Sequence, residues 1–198
     1  MAFPTRSEFP RPSAVAPRNV VSIPAGTALL LLAGSIVLGR ADKPFWFLDW
    51  VNLAFHEAGH LFLSPFGSTL HLLGGTLMQL FVPALLAAYF LVARSSPLGA
   101  ALGAWWLGES LINVSVYMAD ARDMRLELVG GGEHDWTQIF YQFGLLGEGP
   151  VTTVSGWTHH LGVAVMLAAT AWAAWLAFPL TLRRARDEQV GWPSERRR

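Results

Sequence analysis

Two histidines and a glutamate in this chain have the spacing that metal chemistry needs: His56-Glu57-Ala58-Gly59-His60 reads H-E-x-x-H. On a helix, positions i and i+4 lie on one face a turn apart, so both imidazoles can reach a single ion. Zinc takes such a pair of nitrogen ligands, and a glutamate directly after the first histidine can act as general base on a water at the metal. Six His and eight Glu placed at random in 198 residues give this pattern in roughly 0.7% of chains, so coincidence is a weak competitor. The competing reading is a polar patch buried against other helices without a metal.

Zinc with two histidines needs a further protein ligand and an open position for water. The candidates are His71, Glu109, Asp120, Asp123, His134, Asp135, His159 and His160. His71 stands 11 residues beyond His60, across the turn residues Pro65–Ser68, and reads as an interfacial histidine. His134-Asp135-Trp136 follows the run Gly130-Gly131-Gly132, which can bend a loop back toward a membrane cavity. Either His134 or Asp135 is the preferred third ligand, with Asp120 next; the plain alternative is an exposed loop anchored at the interface by Trp136. Glu109, Asn113, Tyr117 and Asp120 fall at i, i+4, i+8 and i+11 and make one polar stripe. Lipid would not tolerate it, so the stripe should face the H-E-x-x-H helix, either orienting its histidines or bonding helix to helix. His56, Glu57 and His60 should likewise turn toward the protein interior.

The elements that hold these residues are read from composition. Hydrophobic residues make up 53% of the chain and charged residues 14%, against about 25% charged in a soluble domain, too little charge to cover a water-facing surface. A net charge of 0 gives no footprint for nucleic acid. The absence of Cys excludes disulfides, thiolate zinc sites, Fe–S clusters and Cys nucleophiles. Charge is absent from Asn19–Gly39, Ala58–Ala93, Ser95–Gly108, Ser110–Ala119 and Gly149–Leu182, and a span needs ~20 mostly apolar residues. The reading is an all-α polytopic membrane protein with about five transmembrane helices. A polar, Pro/Arg-containing tail (1–19) precedes a membrane domain (20–182), and a basic tail (183–198) follows. The spans are about 20–39, 45–64, 70–93, 98–119 and 158–182, the second bearing H-E-x-x-H. The first reads as a retained span, since no cleavage site follows it. The polar loop between the fourth and fifth contains Thr137–Leu146, apolar but too short to span, which suits an interfacial or re-entrant helix. With the N-terminus outside, nine of 14 Lys and Arg lie on the cytoplasmic side, the arrangement the positive-inside rule favours. Trp105-Trp106 and Trp172 with Trp175 read as packing or interface residues, and Gly74-Gly75 as a point of close helix approach.

Phe55-His-Glu-Ala-Gly-His60 within an apolar helix resembles the membrane-embedded zinc metalloproteases of the site-2-protease class, in particular the small M50B-like branch and its bacterial members. Gly74-Gly75-Thr76-Leu77-Met78-Gln79 with Pro83, Tyr117-Met-Ala-Asp120-Ala-Arg and His134-Asp135-Trp136 are similar to that branch as well. The resemblance covers roughly residues 45–180 and implies Zn2+ as cofactor, His56 and His60 as ligands and Glu57 as the catalytic residue. It implies a third ligand far downstream, usually an Asp, and a place in a bacterial inner membrane. Its partners would be the lipid bilayer and a membrane protein substrate or partner subunits. The class's usual third-ligand segment, Asn-x-x-Pro leading into Leu-Asp-Gly, does not occur here, so the choice between His134 and Asp135 stays open. The alternative function is a non-catalytic scaffold or accessory subunit of a larger membrane complex that retains the fold.

Overall fold

The computed structural model describes residues 47–126, 128 and 134–189, with side chains over 48–126, 128 and 134–176. The expected first span, the N-terminal tail, the glycine run 130–132 and the side chains of the basic tail lie outside the described residues. Among the described residues every regular element is helical: α1 Phe47–Leu63, a 3-10 turn Ser64–Phe66, α2 Ser68–Val92, α3 Pro97–Ala119, α4 Asp135–Gln142 and α5 Glu148–Gln189.

Local chemistry sets the breaks. Pro65 sits in the first turn of the 3-10 segment, and Gly67 follows at φ 101°, a conformation glycine adopts without a Cβ clash. Ser96 caps α3, its side chain accepting from the Gly99 amide at 3.4 Å, with Pro97 opening the helix, the position where a missing N–H is harmless. One boundary differs from the sequence reading. The last helix starts at Glu148, ten residues before the expected Thr158. Residues 149–157 are rich in Gly, Thr and Ser and have little intrinsic helicity. Burial of Val151 and Ser155 supplies what propensity lacks.

α1, α2 and α3 pack as successive antiparallel neighbours, and α5 lies antiparallel on α3. Small residues mark each seam. A Cβ on Gly59 would run into the Gly74 carbonyl, one on Gly103 would lie 2.7 Å from the Ala87 amide, and one on Gly108 would lie 2.7 Å from the Gly162 carbonyl. Such residues let membrane helices approach closely enough for dispersion to hold them. Leu98, Ala101, Trp105, Met166, Ala169 and Ala173 fill the α3–α5 seam. α4 lies across one end of the bundle, burying Trp136, Ile139 and Phe140 against Val114, Met118 and Val151.

Two helices, α2 and the Glu148–Leu176 part of α5, are long and apolar enough to cross a membrane, and only 22% of each apolar window is buried. Their outward faces carry Leu70, Leu77, Phe81, Leu85 and Tyr89 on α2, and Trp157, Leu161, Leu167 and Trp175 on α5. A core helix of a water-soluble protein hides its apolar face; these two present theirs. α1 and α3 do not reach the same apolarity. α1 has 17 residues and holds Asp49, Asn52, His56, Glu57 and His60, while α3 holds Glu109, Ser110, Asn113 and Ser115.

The glycine seam between α1 and α2 gives a direct test. Gly59→Ala sets a methyl against backbone that cannot swing aside, and overpacking of this kind costs about 1–3 kcal/mol. The detergent-solubilised variant should melt at clearly lower temperature than the parent. Gly156→Ala, which meets no atom within 4 Å, should melt as the parent does.

Candidate metal centre

The second half of α1 delivers the two histidines. His56 is buried and His60 half-buried, one turn apart, with ring centroids 4.7 Å from each other. Room for the His56 ring comes from α2: a Cβ on Gly75 would lie 2.5 Å from both Cε1 and Nε2 of His56. The third group arrives from 79 residues away, where Asp135 opens α4 and is buried. Its Oδ2 lies 2.9 Å from His56 Nε2 and 3.2 Å from His60 Nε2. The three ligand atoms all fall within 4.8 Å of one another. A tetrahedral zinc with bonds of ~2.0–2.1 Å separates its ligand atoms by ~3.4 Å, and the carboxylate oxygen stands within about half an ångström of that spacing from each nitrogen. This buried His56, His60 and Asp135 group could hold a metal ion.

The protonation pattern points the same way. His60 Nδ1 lies 2.7 Å from the His71 carbonyl oxygen. A carbonyl only accepts, so Nδ1 carries the proton and donates. A neutral His60 then directs the Nε2 lone pair at a carboxylate oxygen 3.2 Å away, which is repulsive unless a positive charge lies between them. A second proton on His60 or a metal ion removes the conflict. His56 aims Nε2 at the same oxygen, and one ion satisfies both nitrogens at once. The tie from a ligand histidine's other nitrogen to a carbonyl is also what fixes ring orientation in metal sites. His71 Nδ1 returns the bond to the His60 carbonyl at 3.1 Å.

α4 is secured at its N-terminus. The Tyr117 hydroxyl donates to Asp135 Oδ2 at 3.3 Å and accepts from the Asp135 amide at 3.1 Å. Trp136 Nε1 donates to Thr76 Oγ1 at 3.2 Å, and Thr137 Oγ1 donates to the Ala121 carbonyl. Burial raises the Asp135 carboxyl pKa, but the His56 imidazole and a doubly protonated, cationic His60 outweigh that and bring it down to about 2. The group is therefore an anion across the physiological range.

Of the two preferred third ligands, the structure brings Asp135 to the histidine pair and turns His134 elsewhere. His134 caps α4, its side chain accepting from the Thr137 amide at 3.3 Å, and its Nε2 faces Asp120 Oδ2 at 3.5 Å. Burial lowers its pKa against the opposing charge of Asp120. Asp120 is taken up by the backbone, accepting from the amides of Arg125 at 2.9 Å and Leu126 at 3.0 Å. The remaining candidates also lie outside the trio. Glu109 accepts from Asn52, Asp123 pairs with Arg125, and His159 and His160 are exposed on α5. Glu57 departs from the inward orientation expected of it, for it is exposed. Adjacent helix residues point ~100° apart, and here that turn carries Glu57 off the face that buries His56.

The polar stripe of α3 does face α1, except for Asp120. It also meets residues that the sequence reading passed over. Asn52 Nδ2 donates to Glu109 Oε2 at 2.9 Å, while its Oδ1 accepts from Trp106 Nε1 at 2.8 Å and Ser110 Oγ at 3.3 Å. Asn113 donates to Asp49 Oδ1 at 2.9 Å and accepts from Gln79 Nε2 at 2.8 Å. A signal for this layer was present: Asp49, Asn52, His56 and His60 fall at i, i+3, i+7 and i+11, one face of α1. Compared with protein-family models, curated proteins and solved structures, the chain matches none.

Gly75 supplies the second test. Its obstacle is the tip of a side chain rather than backbone, so Gly75→Ala should leave the fold nearly as stable as the parent while displacing the His56 ring. Any affinity for added zinc, measured by competition with a chromophoric chelator, should fall by about tenfold or more.

Proposed function

We propose that this protein is a membrane-embedded zinc metallopeptidase of the site-2-protease kind, with about five spans in a bacterial inner membrane, hydrolysing a peptide bond within or near the bilayer. The observation that carries the reading is the meeting of His56, His60 and Asp135, with the His60 Nδ1 proton committed to the His71 carbonyl and Nε2 facing the carboxylate. The donor set of two imidazoles and one carboxylate suits zinc and leaves a fourth position free. The apolar outward faces of α2 and α5 support the membrane setting, and the H-E-x-x-H spacing supports the reaction class.

When bound, zinc supplies Lewis-acid polarisation of a carbonyl and acidification of water. His56, His60 and Asp135 would hold it. Glu57, one residue beyond His56 and outside the buried trio, would take a proton from the attacking water at its carboxylate and pass it to the departing amine. Exposure of Glu57 suits that task, since a base committed to a buried partner could not turn over. The apolar packing of α1, α2 and α3 would limit bulk water around the reacting bond.

Metal analysis of the purified full chain tests the reading. The parent should carry one zinc per chain, and the His56→Ala/His60→Ala variant none. Glu57→Gln should keep the metal and lose cleavage, since general acid–base catalysis is worth about 10²–10⁴-fold. Membrane proteomes of cells carrying the parent and Glu57→Gln forms provide the readout without a known substrate. If no membrane protein changes length or abundance, while Gly59→Ala and Gly74→Ala each lose a partner complex, the chain is a scaffold and the hydrolase reading falls.

A further inference from the structure

The carboxylate at the centre of the trio stands at the first residue of α4, next to the preceding segment rather than deep within a helix. A ligand so placed has no precision of its own and must be held from outside. One side chain holds it at two points. The Tyr117 hydroxyl accepts from the Asp135 amide at 3.1 Å and donates to Oδ2 at 3.3 Å, the same oxygen that both imidazoles face. The Tyr117 ring also stands edge-on to His56, centroids 5.7 Å apart, and lies against His134 at 4.2 Å. It thus touches one ligand by its ring, the next by its hydroxyl, and the residue between α4 and the preceding chain by its face. Tyr117 is in the last turn of α3, so the contact fixes Asp135 relative to the rigid bundle.

We propose that Tyr117 is the positioning residue of the metal centre, setting the direction in which Asp135 offers Oδ2 to the ion; this rests on the metal reading above. A phenol that satisfies the backbone amide and one lone pair of the carboxylate oxygen leaves the remaining lone pair for the ion. It also prevents the carboxylate from rotating to a bidentate pose or turning away toward water. Partners of this kind, one shell beyond the ligands, typically change metal affinity by about 10–100-fold. The other ties of α4, from Trp136 to Thr76 and from Thr137 to Ala121, hold the helix without touching the carboxylate, so they separate docking from positioning.

The test uses the full chain in detergent, zinc affinity by chelator competition, and melting temperature of the metal-free protein. Tyr117→Phe keeps the ring and its contacts and removes only the hydroxyl. Zinc should bind about 10–100-fold more weakly, and the ligand-field spectrum of the cobalt form should change. Asp135→Asn should weaken zinc further, and the Tyr117→Phe/Asp135→Asn double variant should be no weaker than Asp135→Asn alone within about twofold, because the tyrosine acts through the carboxylate. Thr76→Val should lower the melting temperature and leave zinc affinity and the cobalt spectrum unchanged. The proposal is overturned if Tyr117→Phe binds zinc as the parent does, if its loss adds in full to that of Asp135→Asn, or if Thr76→Val weakens zinc equally. A parent that binds no zinc would instead overturn the metal reading itself.

Discussion

One carboxylate oxygen, Asp135 Oδ2, is the point on which the described structure turns. Two imidazoles and a phenol converge on it from α1 and α3. Burying a carboxylate without such partners costs several kcal/mol, so α4 could not dock in its present place without them. The dependence runs the other way as well. Without α4 the buried face of His56 would meet no anion, and the end of the bundle would be open where Trp136, Ile139 and Phe140 now close it.

Close helix approach and polar satisfaction are usually separate demands on a helix bundle; here they meet at two neighbouring glycines. Gly74 lets the α1 backbone come near, and Gly75 leaves the volume that the His56 ring occupies. A larger residue at the first would part the helices, and one at the second would turn the ring from Asp135. Deeper in the bundle the same economy appears in Asn52 and Asn113. Each uses its amide group to donate to a carboxylate and its oxygen to accept from a neighbour. Two side chains thereby link α1, α2 and α3 across one polar layer that includes Asp49 and Glu109.

The helices and the histidine pair were legible because both rest on local signals. Apolar runs broken by Pro65–Gly67 and Arg94–Pro97 delimit α1, α2 and α3 to within a few residues, and i, i+4 spacing alone puts His56 and His60 together. The third group was legible only as a choice between adjacent residues. His134 and Asp135 have the same sequence surroundings, and which one enters depends on the helix start: the residue that caps α4 is spent on the Thr137 amide, and the residue after it is free to reach across. The early start of α5 was not legible, because its first two turns are held by burial of Val151 and Ser155 rather than by propensity. Asp49 and Asn52 were missed for a different reason. A lone Asp and Asn near the start of an apolar run look like end-of-helix polarity until the fourfold spacing with His56 and His60 is counted.

On the proposed reading, in which the histidines hold an ion and Glu57 carries the proton, Glu57 shows how one helix can carry groups with opposite needs. The ligands must be immobile and shielded, so they share the face of α1 that looks into the bundle. A proton carrier must reach the reacting atoms and release what it takes up, so it cannot be bonded into the same buried set. One step along the helix turns a side chain by ~100°. That is enough to place Glu57 beyond the trio, on the residue next to a ligand. A glutamate two residues on would face nearly opposite to His56, and one at i+4 would replace the second ligand. For the reaction proposed here, the position directly after the first histidine reconciles proximity with independence.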